Sequence, residues 1–334
     1  MAKRGSTDYS LVLAVNKPLG MSSHDVVNRV RSIFGERRVG HMGTLDPLAS
    51  GVLPVCVGPA TRLDAYFVNH DKTYRVRVEF GTETNTADSE GEVIDRGAPT
   101  ESLFDASFAE AYVAGLVGKH EQVPPAYSAI KVNGKVAYKE ARKGNEIEFA
   151  AREIEIYSAK LIGIVEADCA DRVSWDIELS VSKGTYIRSI AVDMGRALGC
   201  PAHVSVLERV RVGRIDLADC VTLETLESLK EDACLDPVRL LGIRFAFVDA
   251  LEGRIANGNF VKPGEVDLFM PYESMREDEA CACSVTLVKS DVAPYDEETI
   301  ALICNNKLKA LYSYEARRGI FKPACIFSIG VDRG

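Results

Sequence analysis

The segment Gly40-His41-Met42-Gly43-Thr44-Leu45-Asp46-Pro47-Leu48-Ala49-Ser50-Gly51 concentrates residue types that could do chemistry. Its three glycines permit tight or left-handed backbone. Pro47 biases Asp46 toward an extended conformation. One carboxylate is thus presented on a defined loop beside His41, and an ionised carboxylate can act as a covalent nucleophile. The plainer reading is an Asp-Pro turn, because both residues are common in turns. Taken without further context, the loop favours the turn reading. A second feature is basic. Lys131, Lys135, Lys139, Arg142 and Lys143 stand against a single acid, Glu140, in residues 131–143. Tyr127 and Tyr138 accompany that run, and Pro124-Pro125 and Asn133-Gly134 interrupt it. Such a stretch is either a solvated face or a surface for nucleic-acid phosphates.

The elements that must position these groups follow from periodicity. Leu11–Val15 reads as a short buried strand, ended by the turn-prone Asn16-Lys17-Pro18-Leu19-Gly20. Ser22 and Ser23 offer an N-cap to a helix with Val26, Val27, Val30, Ile33 and Phe34 on one stripe, stopped at Gly35. A glycine-punctuated loop spans 40–51, with a strand over Val52–Val57 and a short helix over Thr61–Val68. Tyr74, Val76, Val78 and Phe80 alternate with charged residues, the period of a half-buried strand. An amphipathic helix is expected over 102–117 and strands over 153–165 and 173–182. A further helix runs from about Tyr186 to Leu198, with Ile187, Ile190, Ala191, Met194 and Leu198 inward and Gly199 at its end. Strands and helices mix without strict alternation, which favours α+β with a mixed, largely antiparallel sheet.

Composition sets wider bounds. At 334 residues, 46% hydrophobic and 27% charged, the chain has the make-up of a globular protein long enough for two domains. No apolar stretch approaches the roughly 18–20 residues of a membrane span. The run at Leu11–Val15 is too brief for a signal-peptide core, so a cytoplasmic protein is expected. Nine cysteines are scattered singly, which is no disulfide framework. Cys281 and Cys283 are spaced more tightly than structural zinc ligands, so no metal is expected. The net charge of −9 opposes phosphate binding only globally. Arg29, Arg31, Arg37 and Arg38 form another basic stretch, and much of the acid lies in 273–298.

Ordered motifs change the weight of Asp46. Asn16-Lys17-Pro18-Leu19-Gly20-Met21-Ser22-Ser23, followed by the Gly40–Gly51 segment, resembles the TruB family of tRNA pseudouridine synthases. Asp71-Lys72-Thr73-Tyr74 resembles the segment holding that family's active-site tyrosine. Gln122 to Lys131, continuing to Gly134 and Ala137-Tyr138, resembles its RNA-gripping insertion. Ser182-Lys183-Gly184-Thr185-Tyr186-Ile187-Arg188 resembles the turn carrying its active-site arginine. Gly199-Cys200-Pro201-Ala202-His203 through Leu207 completes a likeness covering roughly 10–230. Met42 and Thr44 depart from the usual Thr and Ala.

The resemblance implies a pseudouridine-synthase fold and isomerisation of the T-loop uridine, position 55 of tRNA. Asp46 would be the catalytic carboxylate acting on a flipped-out base, at either the ribose or the base. Arg188 would keep Asp46 ionised and oriented, preferably through a bidentate pair. Tyr74 would stack on the uracil, as aromatics do on unstacked bases. His41 would wedge near the vacated base position. Leu207 would wall the pocket, and Lys17 would be a structural or phosphate contact. The insertion at about 120–145, with Lys131, Lys135, Lys139, Arg142 and Lys143, would clamp the T-stem-loop and offset base flipping, which costs a few kcal/mol. No cofactor, guide RNA or membrane is implied, and a monomer is expected. The catalytic domain would span 1–243, and 244–334 would form a small β-rich, PUA-like, RNA-binding domain with strands at Cys283–Val288, Thr299–Cys304, Leu308–Tyr314 and Ile326–Gly330. Two rival readings are a noncatalytic RNA-folding protein of the same fold and a guide-RNA-dependent synthase.

Overall fold

Strand β1 (Leu11–Lys17) is buried along its length apart from half-buried Asn16, as a strand must be when both its faces are covered. The computed structural model describes residues 9–67, 70–125, 127, 131–132, 135–136, 149–166, 172–271 and 287–334. Helix α1 (Ser23–Phe34) follows β1, buries Val26, Val27, Val30 and Phe34, and begins with a capping box. The Ser22 hydroxyl accepts the Asp25 N–H, and the Asp25 carboxylate accepts the Ser22 N–H. Gly35 closes the helix in the left-handed region at φ 62°. A short strand β2 (Val39–His41) leads through the Asp46 loop into β3 (Ala49–Val57).

Next come α2 (Asp64–Phe67), β4 (Lys72–Phe80), a small ribbon of β5 (Thr82–Thr84) and β6 (Val93–Arg96), and α3 (Ala106–Ala114). Strand β7 (Gly118–Gln122) opens the insertion, whose β8 (Lys131–Val132) and β9 (Lys135–Val136) pair with each other. The chain returns through β10 (Arg152–Glu166), β11 (Val173–Val181), α4 (Ile187–Ala197), β12 (Ala202–Val212) and β13 (Ile215–Asp216). Among the described residues nine strands share one sheet, with the central path β1-β3-β12-β4-β11-β10-β7. Its ladders are antiparallel except β12–β3, where Leu207, Glu208 and Arg209 face Ala49, Ser50 and Gly51 in parallel.

Helices α1, α3 and α4 pack on one face, where Trp175, Phe80, Val30, Val113 and Met194 share one apolar cluster. On the other face, the β4–β11 pair carries directly opposed ion pairs, Arg77–Asp176 at 2.7 Å and Arg75–Glu178 at 3.1 Å. At the β1–β3 end that face is covered instead by the C-terminal sheet. Val12, Ala14, Val52 and Cys56 meet Ile303, Leu308, Leu311 and Phe327 there. This second sheet has the order β14 (Phe245–Phe247), β15 (Thr299–Cys304), β16 (Lys307–Glu315), β17 (Ile320–Val331). No helix among the described residues is long and apolar enough to cross a membrane.

Some boundaries differ from the sequence expectation. The glycine loop is shorter than 40–51, because His41 lies on β2 and β3 already begins at Ala49. The extra strand residues find their partner on β12, more than 150 residues away. The helix expected over 102–117 contracts to Ala106–Ala114, because the Asp105 carboxylate caps the N–H groups of Ser107 and Phe108. The closing strand expected from Ile326 begins at Ile320 and continues β17 to Val331. Of the strand expected at Cys283–Val288, residues 283–286 lie outside the described residues, and 287–288 form no strand.

Candidate active site

Both sides of Asp46 are tied down by the start of the chain. On one side, the Ser23 hydroxyl takes the Leu45 N–H at 2.8 Å and donates to the Leu45 carbonyl at 3.0 Å. On the other, the Pro47 carbonyl accepts the Gly20 N–H at 2.9 Å, and the Asp46 carbonyl accepts the Ala49 N–H at 3.0 Å. Lys17 is fully buried, and its ammonium donates to the Met21 carbonyl at 2.6 Å and the Pro18 carbonyl at 3.0 Å, with Pro47 at 3.5 Å. Burial pushes its pKa down to about 8, despite the opposing pull of Asp46. Of the two roles expected for Lys17, this placement suits the structural one, because a buried ammonium engaged with backbone carbonyls does not reach a phosphate.

The Asp46 side chain is 39% exposed and its Oδ2 lies 2.9 Å from Arg188 Nη2. Arg188 comes from the first turn of α4. That helix start is fixed by Gln122, whose amide donates to the Tyr186 carbonyl at 3.0 Å and accepts the Tyr186 N–H at 2.8 Å. The contact with Asp46 is an ion pair through Nη2 rather than a bidentate hydrogen-bonded fork. Arg188 Nη1 turns instead to the Thr86 carbonyl at 2.8 Å and to Asp88 Oδ2 at 3.2 Å, while Nη2 also donates to the Tyr127 carbonyl at 2.9 Å. Asp88 is buried, held by the Thr86 hydroxyl at 2.5 Å, and follows Ala87, a non-glycine residue at φ 61°. A positive φ at alanine is uncommon and costly, and here it accompanies the turn that brings a carboxylate to Arg188.

Asp46, Tyr74, Arg188 and Leu207 line one cavity of about 290 Å³, together with Lys72 and Arg209. Tyr74 and Lys72 are two apart on β4 and so share one face of the strand. Burial, with Arg209 and Lys183 nearby, pushes Lys72 down to about 8. Arg209 is 1% exposed and spends its donors on the carbonyls of Val52, Gly43 and Thr44. A cavity with one accessible carboxylate, an aromatic wall and three cations can present a nucleophile to a planar base carried on a phosphate backbone.

His41 is not in that wall. Its ring sits on β2, with Nδ1 buried and without a hydrogen-bond partner among the described residues, and burial lowers its pKa. Lys131 and Lys135 lie on the β8–β9 ribbon, whereas Lys139, Arg142 and Lys143 lie outside the described residues. No cluster of metal-ligating side chains occurs among the described residues.

Sequence reasoning passed over Asp88, Arg209 and Ser23. Asp88 sits in a polar turn like many others. Ser23 reads from sequence only as a cap candidate. Arg209 carried no clear signal, since alternation along the strand groups it with His203, Ser205, Leu207 and Arg211, which are mostly polar.

Comparison with known proteins fits this geometry. Residues 31–187 match the family model described as TruB family pseudouridylate synthase (N terminal domain), and residues 188–241 match that of the tRNA pseudouridylate synthase B C-terminal domain. The chain is 45% identical over 225 residues to tRNA pseudouridine synthase B of Geobacillus thermodenitrificans, covering 67% of this chain and 74% of the relative. It is 41% identical over 269 residues to the protein of that name from Bacillus cytotoxicus, covering 78% and 87%. Among solved structures, a Cbf5-Nop10-Gar1 complex has a chain of TM-score 0.59 at 22% identity, covering 93% of this chain and 79% of that one. An H/ACA RNP bound to a substrate RNA containing 2'-deoxyuridine has one of TM-score 0.61 at 20% identity, covering 96% and 86%. These structural likenesses establish the pseudouridine-synthase fold.

Proposed function

The chain belongs to the TruB family of pseudouridylate synthases, and from that premise we propose that it isomerises the T-loop uridine at position 55 of tRNA with Asp46 as nucleophile. It is a tRNA pseudouridine synthase. The observation that carries the finer reading is the pairing of a partly exposed Asp46 with buried Arg188 at 2.9 Å, in the cavity that also holds Tyr74.

The reaction breaks the N1–C1′ bond, turns the uracil, joins C5 to C1′, releases the C5 proton and returns a proton to N1. Substrate and product have the same composition, so no oxidant or group donor is required. Arg188 holds the Asp46 carboxylate in place as its ion-pair partner at 2.9 Å. Tyr74 forms the wall on which the extruded uracil stacks, and Leu207 packs beside it. The basic insertion, including Lys131, Lys135, Lys139, Arg142 and Lys143, grips the T-stem-loop through phosphates. The C-terminal sheet adds a PUA-like RNA-binding unit. The protein works as a cytoplasmic monomer without guide RNA, and His41 supports the flipped nucleotide from the edge of the loop.

Asp46→Asn should abolish tritium release from tRNA labelled at uracil C5 while leaving tRNA binding within a few-fold. Retained turnover would remove Asp46 from the mechanism. A tRNA carrying cytidine at position 55 should release no tritium. Activity on an isolated T-stem-loop separates this reading from a guide-dependent enzyme, and binding without any turnover would favour a noncatalytic RNA-folding role.

A further inference from the structure

The geometry points to Arg209 as a positioning residue that pegs the catalytic loop to the centre of the sheet and holds Asp46 within reach of Arg188. The inference rests on Asp46 being the reacting carboxylate. From β12, the Arg209 guanidinium donates through Nε to the Val52 carbonyl of β3 at 2.8 Å. Its Nη2 reaches the Gly43 carbonyl at 3.1 Å and its Nη1 the Thr44 carbonyl at 3.4 Å, both in the loop. A planar guanidinium has its donors in a fixed fork. Binding two loop carbonyls and one strand carbonyl with a single fork therefore sets the distance between loop and sheet. Asp46 lies two residues beyond Thr44.

The position has no evident reason to be charged for stability alone. Among the described residues Arg209 makes no ion pair with a carboxylate, although it is 1% exposed. Buried charges are costly unless well compensated, and a well-packed apolar side chain often stabilises such a site as well or better. Leu207, two residues away and opposite Val76, shows that an apolar residue fits this strand face. Without the guanidinium, the Gly43 and Thr44 carbonyls would lose a charge-assisted donor at the floor of the cavity. Direct phosphate recognition by Arg209 is excluded by its burial.

The backbone beside it is built to the same end. Gly51 stands opposite Arg209 in the parallel ladder at φ +103°, and a Cβ there would fall 2.2 Å from the Arg209 carbonyl oxygen. The strand carrying the peg and the strand leaving the catalytic loop thus run in closer contact than any side chain at 51 allows.

The test uses full-length Arg209→Met and Arg209→Lys, with single-turnover tritium release, tRNA affinity, thermal melting and amide exchange. Arg209→Met should fold and bind tRNA within about 3-fold of wild type. Its single-turnover rate should fall about 100-fold, the scale of a misplacement of about 1 Å. Amide exchange should accelerate in 43–48 but not in β11 or α4. Arg209→Lys keeps the charge but cannot span three carbonyls, so it should recover only part of the rate. A single-turnover rate within about 3-fold of wild type in Arg209→Met, or a loss of affinity as large as the loss of rate, would overturn the assignment. Should Arg209→Met fail to fold, Arg209→Lys decides the matter, and a wild-type rate in that variant would refute the peg. Asp46→Asn run in parallel separates the two claims, since turnover there would defeat the role of Asp46 whatever the Arg209 variants do.

Discussion

Arg188 stands between two carboxylates, with Nη2 2.9 Å from Asp46 and Nη1 3.2 Å from Asp88. The two acids differ in access. The Asp46 side chain is 39% exposed and Asp88 only 6%, so Asp46 is the partner accessible from the cavity and Asp88 the enclosed one. Asp88→Asn should lower kcat by about 10- to 100-fold with KM nearly unchanged, because the orientation of Arg188 is perturbed rather than RNA contact. Breaking so buried a pair should also cost about 3 kcal/mol in urea unfolding. Wild-type kcat in Asp88→Asn would show that Asp46 alone suffices to orient the guanidinium.

Arg188→Lys is a sharper test of the fork. The guanidinium serves Asp46, Asp88 and the carbonyls of Thr86 and Tyr127 together. A lysine offers one point charge and cannot reproduce that planar set. The single-turnover rate should drop by at least about 100-fold, while circular dichroism remains native.

Ser23→Ala removes the hydroxyl that satisfies both the N–H and the carbonyl of Leu45. Leaving those groups unpaired at a buried position should cost about 1–3 kcal/mol. The melting temperature should fall, and activity should fall with it at temperatures well below melting, because the freed segment adjoins Asp46. A stability loss with no change in rate would separate the loop from catalysis.

Lys72 supplies a pH signature. Its folded-state pKa is pushed down to about 8 by burial, from the ordinary 10.5. Below pH 8 folded and unfolded chains both hold the proton, and the cost of burying the charge is present in full. Between about 8 and 10.5 the unfolded chain holds a proton that the folded chain has released, so this residue's contribution to stability rises with pH. Wild type should therefore gain stability relative to Lys72→Met across that window, read from urea unfolding at successive pH values. A flat difference would show that Lys72 is ordinarily solvated.

Much of this site was legible because chemistry and helix signals sit in short local motifs. Ser22 announces α1, and the structure adds Asp25 as its partner in a reciprocal capping box. Asp46, Tyr74, Arg188 and Leu207 come from four separate segments, and the structure places them in one cavity. What local sequence could not show is long-range pairing. The register of β3 against β12 decides that Ala49 is strand rather than loop. Asp88 looks like any turn aspartate until Arg188, 100 residues later, is folded over it. His41 illustrates the reverse case, since adjacency to Asp46 in the chain did not put its ring in the cavity wall.

The parallel contact between β3 and β12 also dictates a timetable. Arg209 and Val52 are 157 residues apart, and contacts of such separation form late because chain entropy must be overcome first. A ribosome releasing this chain from its N-terminus exposes Asp46 long before residue 209 emerges. The nascent protein therefore carries Asp46 on an unanchored loop, and the cavity is complete only when β12 is laid in. A chain stalled or cut before β12 would have Asp46 yet no working site.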